Sequence, residues 1–249
     1  MNKLVLVRHG ESEWNKLNLF TGWTDVDLTE NGINEAKQCG KVLKEEGFNF
    51  DLCFTSYLKR AIHSAYIVLE LLDEEYIPMI MDWHLNERHY GALQGINKAV
   101  TAKKYGEKQV KLWRRSYEVN PPMLNKDDSR NPANQKMYSN ISESELPLSE
   151  SLKDCVNRVV PYFNKEIKPL IKEGKSVLIV AHGNSLRALI KYLKDISDED
   201  IVNLNIPTGV PLVLELDDGL KVVKDYFLGD QEKNAQKVNS VALQASIKK

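Results

Sequence analysis

Several features that would assign the chain to a specialised class of protein are scarce or missing. Its 249 residues contain 34 Lys and Arg against 35 Asp and Glu, for a formal net charge of −1. A protein that wraps nucleic acid usually carries a basic surplus, which is lacking here. No apolar run approaches the ~20 residues of a membrane-spanning helix, and the apolar start of the chain is shorter than the hydrophobic region of a signal peptide. We therefore expect neither a nucleic-acid nor a membrane partner.

Cysteine is also scarce. The chain has only Cys39, Cys53 and Cys155, an odd number at wide spacing. A disulfide framework or a zinc site would need closer, paired cysteines. Reduced and mostly buried thiols are the better interpretation, and they favour a cytoplasmic location.

Short apolar runs alternate with stretches of helical periodicity along most of the chain. Strands are predicted at 3–7, 52–55, 77–81 and 176–181, with helices at about 30–46, 58–72, 98–105, 108–117, 150–168 and 184–193. The segments 210–216 and 221–226 predict a hairpin that turns at Asp218-Gly219. Strands that are apolar along their whole length indicate a mostly parallel sheet with helices on both faces. The fold class predicted is therefore an α/β protein, a three-layer α/β/α sandwich.

Two segments lie outside this alternation. Residues 118–147 are rich in Pro, Asn and Ser, and we interpret them as a long surface excursion from a single catalytic domain that covers 1–228. Residues 229–249 form a polar, lysine-ended tail that is expected to be mobile.

Two of the predicted parallel strands end in nearly the same way. The first runs into Arg8-His9-Gly10, and the strand at 176–181 runs into His182-Gly183. Ligands of open α/β sheets bind beyond the carboxyl ends of the strands, and the glycines allow the backbone to turn there. The pattern predicts that His9 and His182 face a common site.

The residue types near these strand ends suit phosphoryl transfer. An imidazole is a competent nucleophile near neutral pH because its pKa is about 6.5, and it can divide one transfer into two easier steps. Arg8 and Arg60 would supply planar donors for phosphoryl oxygens, and Asn15 and Thr21 would add neutral donors. Glu87, which follows the third strand, is a candidate proton shuttle.

Each assignment has an alternative. A single strand-end histidine is more often structural than nucleophilic, and Arg60 or Glu87 alone would be ordinary surface residues. Two clustered histidines could also bind a metal, although neither HxxxH nor Asp-rich spacing accompanies them. A chelator should inhibit a metalloenzyme, whereas a phosphohistidine enzyme should be inhibited by vanadate.

Beyond these residues, the chain resembles the histidine phosphatase superfamily, and in particular the cofactor-dependent phosphoglycerate mutases. The general resemblance lies in Arg8-His9-Gly10-Glu11-Ser12, Asn15, Arg60-Ala61 and Ala181-His182-Gly183-Asn184. The narrower one lies in Phe20-Thr21-Gly22-Trp23, Leu28-Thr29-Glu30-Asn31-Gly32, Asn86-Glu87-Arg88-His89-Tyr90-Gly91, Gln94-Gly95-Ile96-Asn97-Lys98, Trp113-Arg114-Arg115-Ser116-Tyr117, Leu146-Pro147-Leu148-Ser149-Glu150-Ser151-Leu152 and Asn205-Ile206-Pro207-Thr208-Gly209. Arg-His-Gly alone would be weak evidence, but this ordered set covers nearly the whole chain.

The resemblance implies a role for each matching residue. His9 would be the phosphorylated nucleophile, Glu87 the proton donor and acceptor, and Arg8, Arg60 and His182 the phosphate pocket. The site would be lined by Ser12, Asn15, Thr21, Gly22, Gly183 and Asn184. The carboxylate and the distal phosphate of the substrate would be bound by Tyr90, Lys98, Arg114 and Arg115.

The resemblance also implies the reaction and its participants. The substrates would be small phosphoglycerates, 3-phosphoglycerate and 2-phosphoglycerate, interconverted in glycolysis and gluconeogenesis. 2,3-Bisphosphoglycerate would prime His9, with no metal. A homo-oligomer, either a dimer or a tetramer, is expected, and the tail at 229–249 would cover the site and exclude water.

Three rival functions remain open at this stage. A bisphosphoglycerate mutase would carry a glycine in place of Ser12 and other residues in place of Thr21 and Gly22. A broad phosphatase would generally lack the Arg114-Arg115 pair and the tail. A non-catalytic relative should have lost at least one of the five residues that carry the chemistry, all of which are present here.

Overall fold

A six-stranded sheet forms the centre of the computed structural model, which describes residues 2–243. Its strands are β1 (Asn2–Arg8), β2 (Leu52–Thr55), β3 (Met79–Met81), β4 (Val177–Ala181), β5 (Pro211–Leu216) and β6 (Val222–Phe227). Their spatial order is β3-β2-β4-β1-β5-β6. The first four strands are parallel to one another. β5 is antiparallel to its neighbour β1, and β6 is antiparallel to β5. The mostly parallel sheet and the β5–β6 hairpin predicted from the sequence are confirmed.

Helices cover both faces of the sheet. The α-helices are α1 (Glu13–Lys16), α2 (Glu30–Glu45), α3 (Lys59–Leu72), α4 (Lys98–Tyr105), α5 (Glu107–Arg115), α6 (Leu152–Tyr162), α7 (Lys168–Lys172), α8 (Gly183–Lys194) and α9 (Gln231–Leu243). Successive side chains of a strand point to opposite faces, so Leu4 and Leu6 pack with α6, α7 and α8, whereas Val5 and Val7 pack with α2 and α3. The three-layer arrangement follows from this alternation.

The helix starts follow ordinary capping chemistry. The hydroxyl of Thr29 accepts from the backbone N–H of Gly32 at 3.0 Å, and that of Ser151 accepts from Asp154 at 3.1 Å. These bonds satisfy N–H groups that have no partner inside the helix. Ser151 is therefore the N-cap residue at which α6 begins.

Prolines explain two element boundaries that were predicted wrongly. The third strand begins at Met79 and not at residue 77, because Pro78 has no N–H to donate to a ladder. The helix predicted to end near 168 continues to Lys172, but as α6, a π-helical turn at Phe163–Ile167 and α7. Pro161 and Pro169 each remove one N–H from the helical ladder, which interrupts the regular α geometry.

The β5–β6 hairpin turns at Asp218-Gly219 as predicted, and its left-handed residue is the one that follows. The residue with left-handed backbone geometry is Leu220, with φ 62°, and not Gly219. Asp217 closes the turn, since its carbonyl accepts from Leu220 N at 2.9 Å and its side chain accepts from Lys221 N at 2.8 Å. Leu220 is 4% exposed, so burial of its side chain offsets the unfavourable φ.

The segment 118–147 is only partly a surface excursion. It forms short 3₁₀ turns at Pro132–Asn134, Lys136–Tyr138 and Glu143–Glu145. Tyr138 is 1% exposed, its ring centroid lies 5.0 Å from that of Trp23, and its hydroxyl accepts from the amide of Asn86 at 3.0 Å. The segment therefore packs beside the residues around Glu87, which its polar composition did not reveal.

Two further expectations concern the whole chain. All three cysteines are buried and free. Within residues 2–243, no helix has both the length and the apolar character needed to cross a membrane.

Candidate active site

Two buried histidines lie side by side at one edge of the sheet. β1 and β4 are parallel neighbours whose last paired residues are Arg8 and Ala181, so His9 and His182 both leave the sheet at its carboxyl edge. The ring centroids are 5.0 Å apart, and the ring planes meet at 63°. The structure thus brings together the two strand-end histidines that the sequence predicted would share a site.

The hydrogen bonds of His9 determine which ring nitrogen can react. Nδ1 lies 2.6 Å from the carbonyl oxygen of Gly10, which can only accept, so Nδ1 carries the proton. Nε2 accepts from Nε of Arg60 at 3.3 Å. Burial, and then the charges of Arg60 and Arg8, hold the pKa of His9 well below its ordinary value. The imidazole is therefore neutral near pH 7, with the lone pair of Nε2 available as a nucleophile.

His182 is buried behind His9. Its Nε2 lies 2.7 Å from the hydroxyl of Ser56, which also accepts from the N–H of Leu58 at 3.1 Å. The hydroxyl hydrogen can then be donated to Nε2, which leaves the ring proton on Nδ1. Nδ1 is buried and has no hydrogen-bond partner among residues 2–243. A bound anion beside His9 would satisfy this donor.

Arg8 and Arg60 hold their guanidinium groups in place through backbone carbonyls. Nη1 of Arg8 donates to Ile206 at 2.8 Å, and its buried Nε has no partner in the described part of the chain. Nη1 and Nη2 of Arg60 donate to Thr24 at 2.9 Å and to Gly22 at 2.7 Å. Burial is the main reason that the pKa of Arg60 falls to about 10, and the group stays charged at neutral pH.

Glu87 presents one carboxylate oxygen to the cavity. Oε1 accepts from the backbone N–H groups of Arg88 at 2.8 Å and Asn184 at 3.0 Å, and the second of these lies at the N-terminus of α8. Oε2 accepts no hydrogen bond within residues 2–243. It lies close to two residues of the cavity wall, because a Cβ built on Gly183 would be 3.7 Å from Oε2 and 3.5 Å from Nε of Arg8. The carboxylate is therefore anchored by one oxygen and open at the other.

These groups surround one cavity, which is open to solvent. Thirteen of the fifteen predicted site residues line it: Arg8, His9, Asn15, Thr21, Gly22, Arg60, Glu87, Tyr90, Lys98, Arg114, Arg115, Gly183 and Asn184. The other two, His182 and Ser12, lie behind the walls. Ser12 caps α1, since its hydroxyl accepts from Asn15 N at 3.2 Å and its own N–H donates to the side chain of Asn15 at 3.1 Å. Its place in the site is to orient Asn15.

The cavity is strongly cationic. Six of its wall residues are arginine or lysine, and Glu87 is the one carboxylate among the described lining residues. Burial, followed by the charge of Arg114, lowers the pKa of Lys98 well below its ordinary value, and burial with the same neighbour lowers that of Arg115 to about 9. A ligand with several negative charges would offset this mutual repulsion.

Three lining residues were missed by the sequence analysis: Arg187, Ile206 and Val241. Arg187 lies one helical turn beyond Asn184 in α8, and its Nη1 donates to the amide oxygen of Asn184 at 2.8 Å. The i, i+3 spacing from a predicted site residue was a usable signal. Ile206 lies in the matched segment Asn205-Ile206-Pro207-Thr208-Gly209 and Val241 lies in the tail that was expected to cover the site, but the apolar side chain of neither marks it individually.

The described part of the tail reaches the mouth of the cavity. α9 brings the carbonyl of Val241 within 3.2 Å of Nη2 of Arg115. Lys237 forms an ion pair with Glu35 at 2.9 Å, and Asn234 donates to the carbonyl of Leu228 at 2.9 Å. Residues 244–249, which belong to the predicted mobile tail, lie outside the described residues, and the mobility of the tail stays a prediction.

Within residues 2–243, no three or more His, Cys, Asp and Glu side chains are grouped so that they could hold a metal ion.

Sequence comparison agrees with this geometry. The family model of the histidine phosphatase superfamily (branch 1) matches residues 4–228. The chain is also 62% identical to the 2,3-bisphosphoglycerate-dependent phosphoglycerate mutase of Treponema denticola, over 246 residues that make up 99% of this chain and 100% of that protein.

Solved structures share the fold at much lower identity. One is a mycobacterial glucosyl-3-phosphoglycerate phosphatase in complex with VO3, with a TM-score of 0.69, 20% identity, and coverage of 91% of this chain and 97% of that one. Another is the α-ribazole phosphatase from Shigella flexneri, with a TM-score of 0.63, 22% identity, and coverage of 92% and 96%. At such identities the similarity concerns the fold alone.

Proposed function

The chain belongs to the histidine phosphatase superfamily, and on that premise we propose that it is a 2,3-bisphosphoglycerate-dependent phosphoglycerate mutase. It interconverts 3-phosphoglycerate and 2-phosphoglycerate in glycolysis through a phosphohistidine. One observation carries the proposal: a buried His9, whose pKa is lowered by burial and by two arginines, lies in a cavity whose walls, among the described residues, bear six arginine and lysine side chains and one carboxylate. The full-length identity to a mutase of that name supports it.

The cavity fits 2,3-bisphosphoglycerate as the priming cofactor. Arg8 Nε and His182 Nδ1 are buried donors that have no partner within residues 2–243, and phosphoryl oxygens would supply acceptors for both. When bound, this cofactor provides the phosphoryl group that loads Nε2 of His9. Arg8 and Arg60 would then balance the negative charge of the phosphohistidine, and Arg8, Arg60 and His182 would donate hydrogen bonds to its oxygens.

Glu87 manages the proton during transfer. As the hydroxyl oxygen of a monophosphoglycerate attacks the phosphorus of phospho-His9, the P–N bond breaks and its electron pair returns to Nε2. The hydroxyl proton passes to Oε2 of Glu87, the oxygen that faces the cavity. In the second half of the cycle the other phosphoryl group moves to Nε2, and Glu87 returns the proton to the oxygen that it leaves.

The far wall holds the non-reacting end of the substrate. Tyr90, Lys98, Arg114 and Arg115 line the cavity, and they would bind the carboxylate and the distal phosphate. Fixing both ends of the substrate places one hydroxyl or the other at His9, which is the positioning that phosphoryl transfer mainly requires. Of the remaining site residues, Asn15, Thr21, Gly22, Gly183 and Asn184 line the cavity, and Ser12 would orient Asn15 from behind its wall.

Location and assembly belong to the same proposal. A cytoplasmic location is supported by three free, buried cysteines and by the glycolytic reaction. Assembly into a dimer or a tetramer remains a prediction.

Turnover of 3-phosphoglycerate to 2-phosphoglycerate, measured with and without 2,3-bisphosphoglycerate, tests the function. We expect the cofactor to stimulate the wild type, and His9→Ala to abolish both turnover and the acid-labile label that radioactive cofactor leaves on the protein. His63→Ala is the matched control, because His63 is half exposed, pairs with Asp27 and lies outside the cavity. Release of inorganic phosphate without formation of 2-phosphoglycerate would instead identify a phosphatase.

A further inference from the structure

A buried ion pair lies behind Glu87, on the side away from the cavity. Nε of Arg158 donates to Oε1 of Glu150 at 2.7 Å and Nη2 donates to Oε2 at 2.8 Å, so the pair is bidentate. The two side chains are 6% and 4% exposed. Buried ion pairs are weak evidence for stability, because removing two charges from water is expensive. A role other than stability is therefore needed to explain why Arg158 and Glu150 are buried together.

Arg158 directs its remaining N–H groups to the backbone around Glu87. Nη1 donates to the carbonyl of His84 at 2.7 Å and lies within 3.3 Å of that of Trp83 and 3.2 Å of that of Asn86. Nη2 lies 3.3 Å from the carbonyl of Glu87 itself. One guanidinium thus gathers four carbonyls that precede or include the acid–base residue.

Glu150 holds the chain on the other side of Glu87. Its Oε2 accepts from the backbone N–H of His89 at 2.8 Å, and its own N–H donates to the carbonyl of His89 at the same distance. The ion pair therefore clamps the backbone from residue 83 to residue 89. The position of Oε1, held by the N–H groups of Arg88 and Asn184, and the exposure of Oε2 to the cavity both depend on that backbone.

We infer that Arg158 is a positioning residue for proton transfer, and that it acts by holding the backbone of Glu87 so that Oε2 meets the reacting hydroxyl. Trp23 supports the carbonyl of Glu87 through its indole N–H at 2.5 Å, but among residues 2–243 only the guanidinium of Arg158 reaches all four carbonyls together. The inference rests on the proposed function, because it assigns Arg158 to the proton-transfer step of that reaction.

The experiment compares two phosphoryl donors that differ in their need for a proton. When His9 attacks 2,3-bisphosphoglycerate, the P–O bond breaks and the leaving alkoxide needs the proton of Glu87. When it attacks p-nitrophenyl phosphate, the leaving phenolate is stable without one. Single-turnover loading of His9 is measured with each donor for the wild type, Arg158→Lys and Glu87→Gln.

We expect Arg158→Lys to slow loading from 2,3-bisphosphoglycerate by about tenfold or more and loading from p-nitrophenyl phosphate by less than about twofold. Lysine keeps the charge but lacks the fork. Glu87→Gln should show the same contrast between donors. Equal losses with both donors would overturn the inference, because a merely structural role affects both; so would wild-type rates with both.

Two controls complete the design. Arg130→Lys alters another arginine–carboxylate pair, with Nη2 of Arg130 at 2.7 Å from Asp128. This pair is partly exposed, and Arg130 donates to the carbonyl of Gln94 at 2.7 Å instead of to the carbonyls of residues 83–87. Both rates should stay at wild type. If Arg158→Lys does not fold, Glu150→Gln replaces it, since glutamine can still accept from the N–H of His89. Glu150→Gln should slow loading from 2,3-bisphosphoglycerate more than loading from p-nitrophenyl phosphate, and equal slowing with both donors would overturn the inference. Conversion of 3-phosphoglycerate to 2-phosphoglycerate by the wild type but not by His9→Ala verifies the proposed function independently.

Discussion

Gly22 offers a sharp test of how the nucleophile's surroundings are built. Its φ is +54°, it lines the cavity, and its carbonyl accepts from Nη2 of Arg60. A Cβ at this position would lie 2.1 Å from Oε1 of Gln94 and 3.0 Å from the backbone nitrogen of Tyr90. The substitution Gly22→Ala therefore combines an unfavourable backbone conformation with a collision.

The two contributions can be separated by a matched glycine. Gly47 has φ +71°, and no atom lies within 4 Å of the Cβ that alanine would add. Gly47→Ala should destabilise the protein by only the left-handed backbone term, about 1–2 kcal/mol. In Gly22→Ala, Gln94 must also withdraw the oxygen that accepts from Trp23 N at 2.8 Å. A buried N–H left without a partner adds about 1–3 kcal/mol.

Thermal unfolding and mutase turnover measure the difference. The Gly22 variant should melt below the Gly47 variant, at about 2–4 °C for each kcal/mol in a chain of this size. Its turnover should fall by about tenfold or more, because a shift of the Gly22 carbonyl moves Arg60 away from His9. Gly47→Ala should keep full activity.

A double variant checks the cause. If Gln94 is the obstacle, Gly22→Ala combined with Gln94→Ala should cost less than the sum of the single changes. Equal melting temperatures and equal turnover for the Gly22 and Gly47 variants would refute the reasoning, since Gln94 would then move without penalty.

Two further predictions follow from the titrating groups and from the tail. Burial lowers the pKa of His9, His89 and His182, that of His89 to about 3. Below the ordinary histidine pKa of about 6.5, the unfolded chain binds protons that the native protein does not. The free energy of unfolding should therefore fall on acidification by up to about 1.4 kcal/mol per pH unit for each of the three histidines. Urea unfolding at about pH 7.5, 6.5 and 5.5 measures this free energy, and values that do not change with pH would contradict the prediction. Lys237→Ala, which removes the ion pair of α9 with α2, should raise phosphate release relative to mutase turnover by admitting water; the exposed Lys233→Ala is its control, and an unchanged ratio would show that this contact does not help to shield the site.

The reacting groups could be predicted from the sequence because their positions follow from local rules. His9 and His182 each end an apolar strand, and parallel strands in one sheet present their carboxyl ends at the same edge. The resemblance to a known family then added Lys98 and the Arg114-Arg115 pair, for which the pattern of polar helices had suggested no role. In the structure all three line the cavity.

Element boundaries were predicted less well, for reasons that are local too. Pro78 and Pro161 lie inside segments whose apolar periodicity continues, so periodicity alone placed the strand and helix limits wrongly. The hairpin turns at Asp218-Gly219 as predicted, but the residue with positive φ is Leu220, whose side chain gains burial there. Tertiary packing thus overrides a local preference of about 1–2 kcal/mol.

The groups that aim the chemistry escape sequence reasoning for a different reason. Arg158 contacts the Glu87 segment across sequence separations of 71 to 75 residues, and its partners there are backbone carbonyls, which every residue has. No pattern of side-chain types in the sequence can therefore predict these contacts. In the sequence of α6, Arg158 looks like any arginine on a helix, and its burial with Glu150 is seen only in the fold. A side chain that reacts must be of a particular residue type, and residue types can be read from the sequence. A side chain that orients the backbone must instead have a particular position in space, which is determined by the assembled fold.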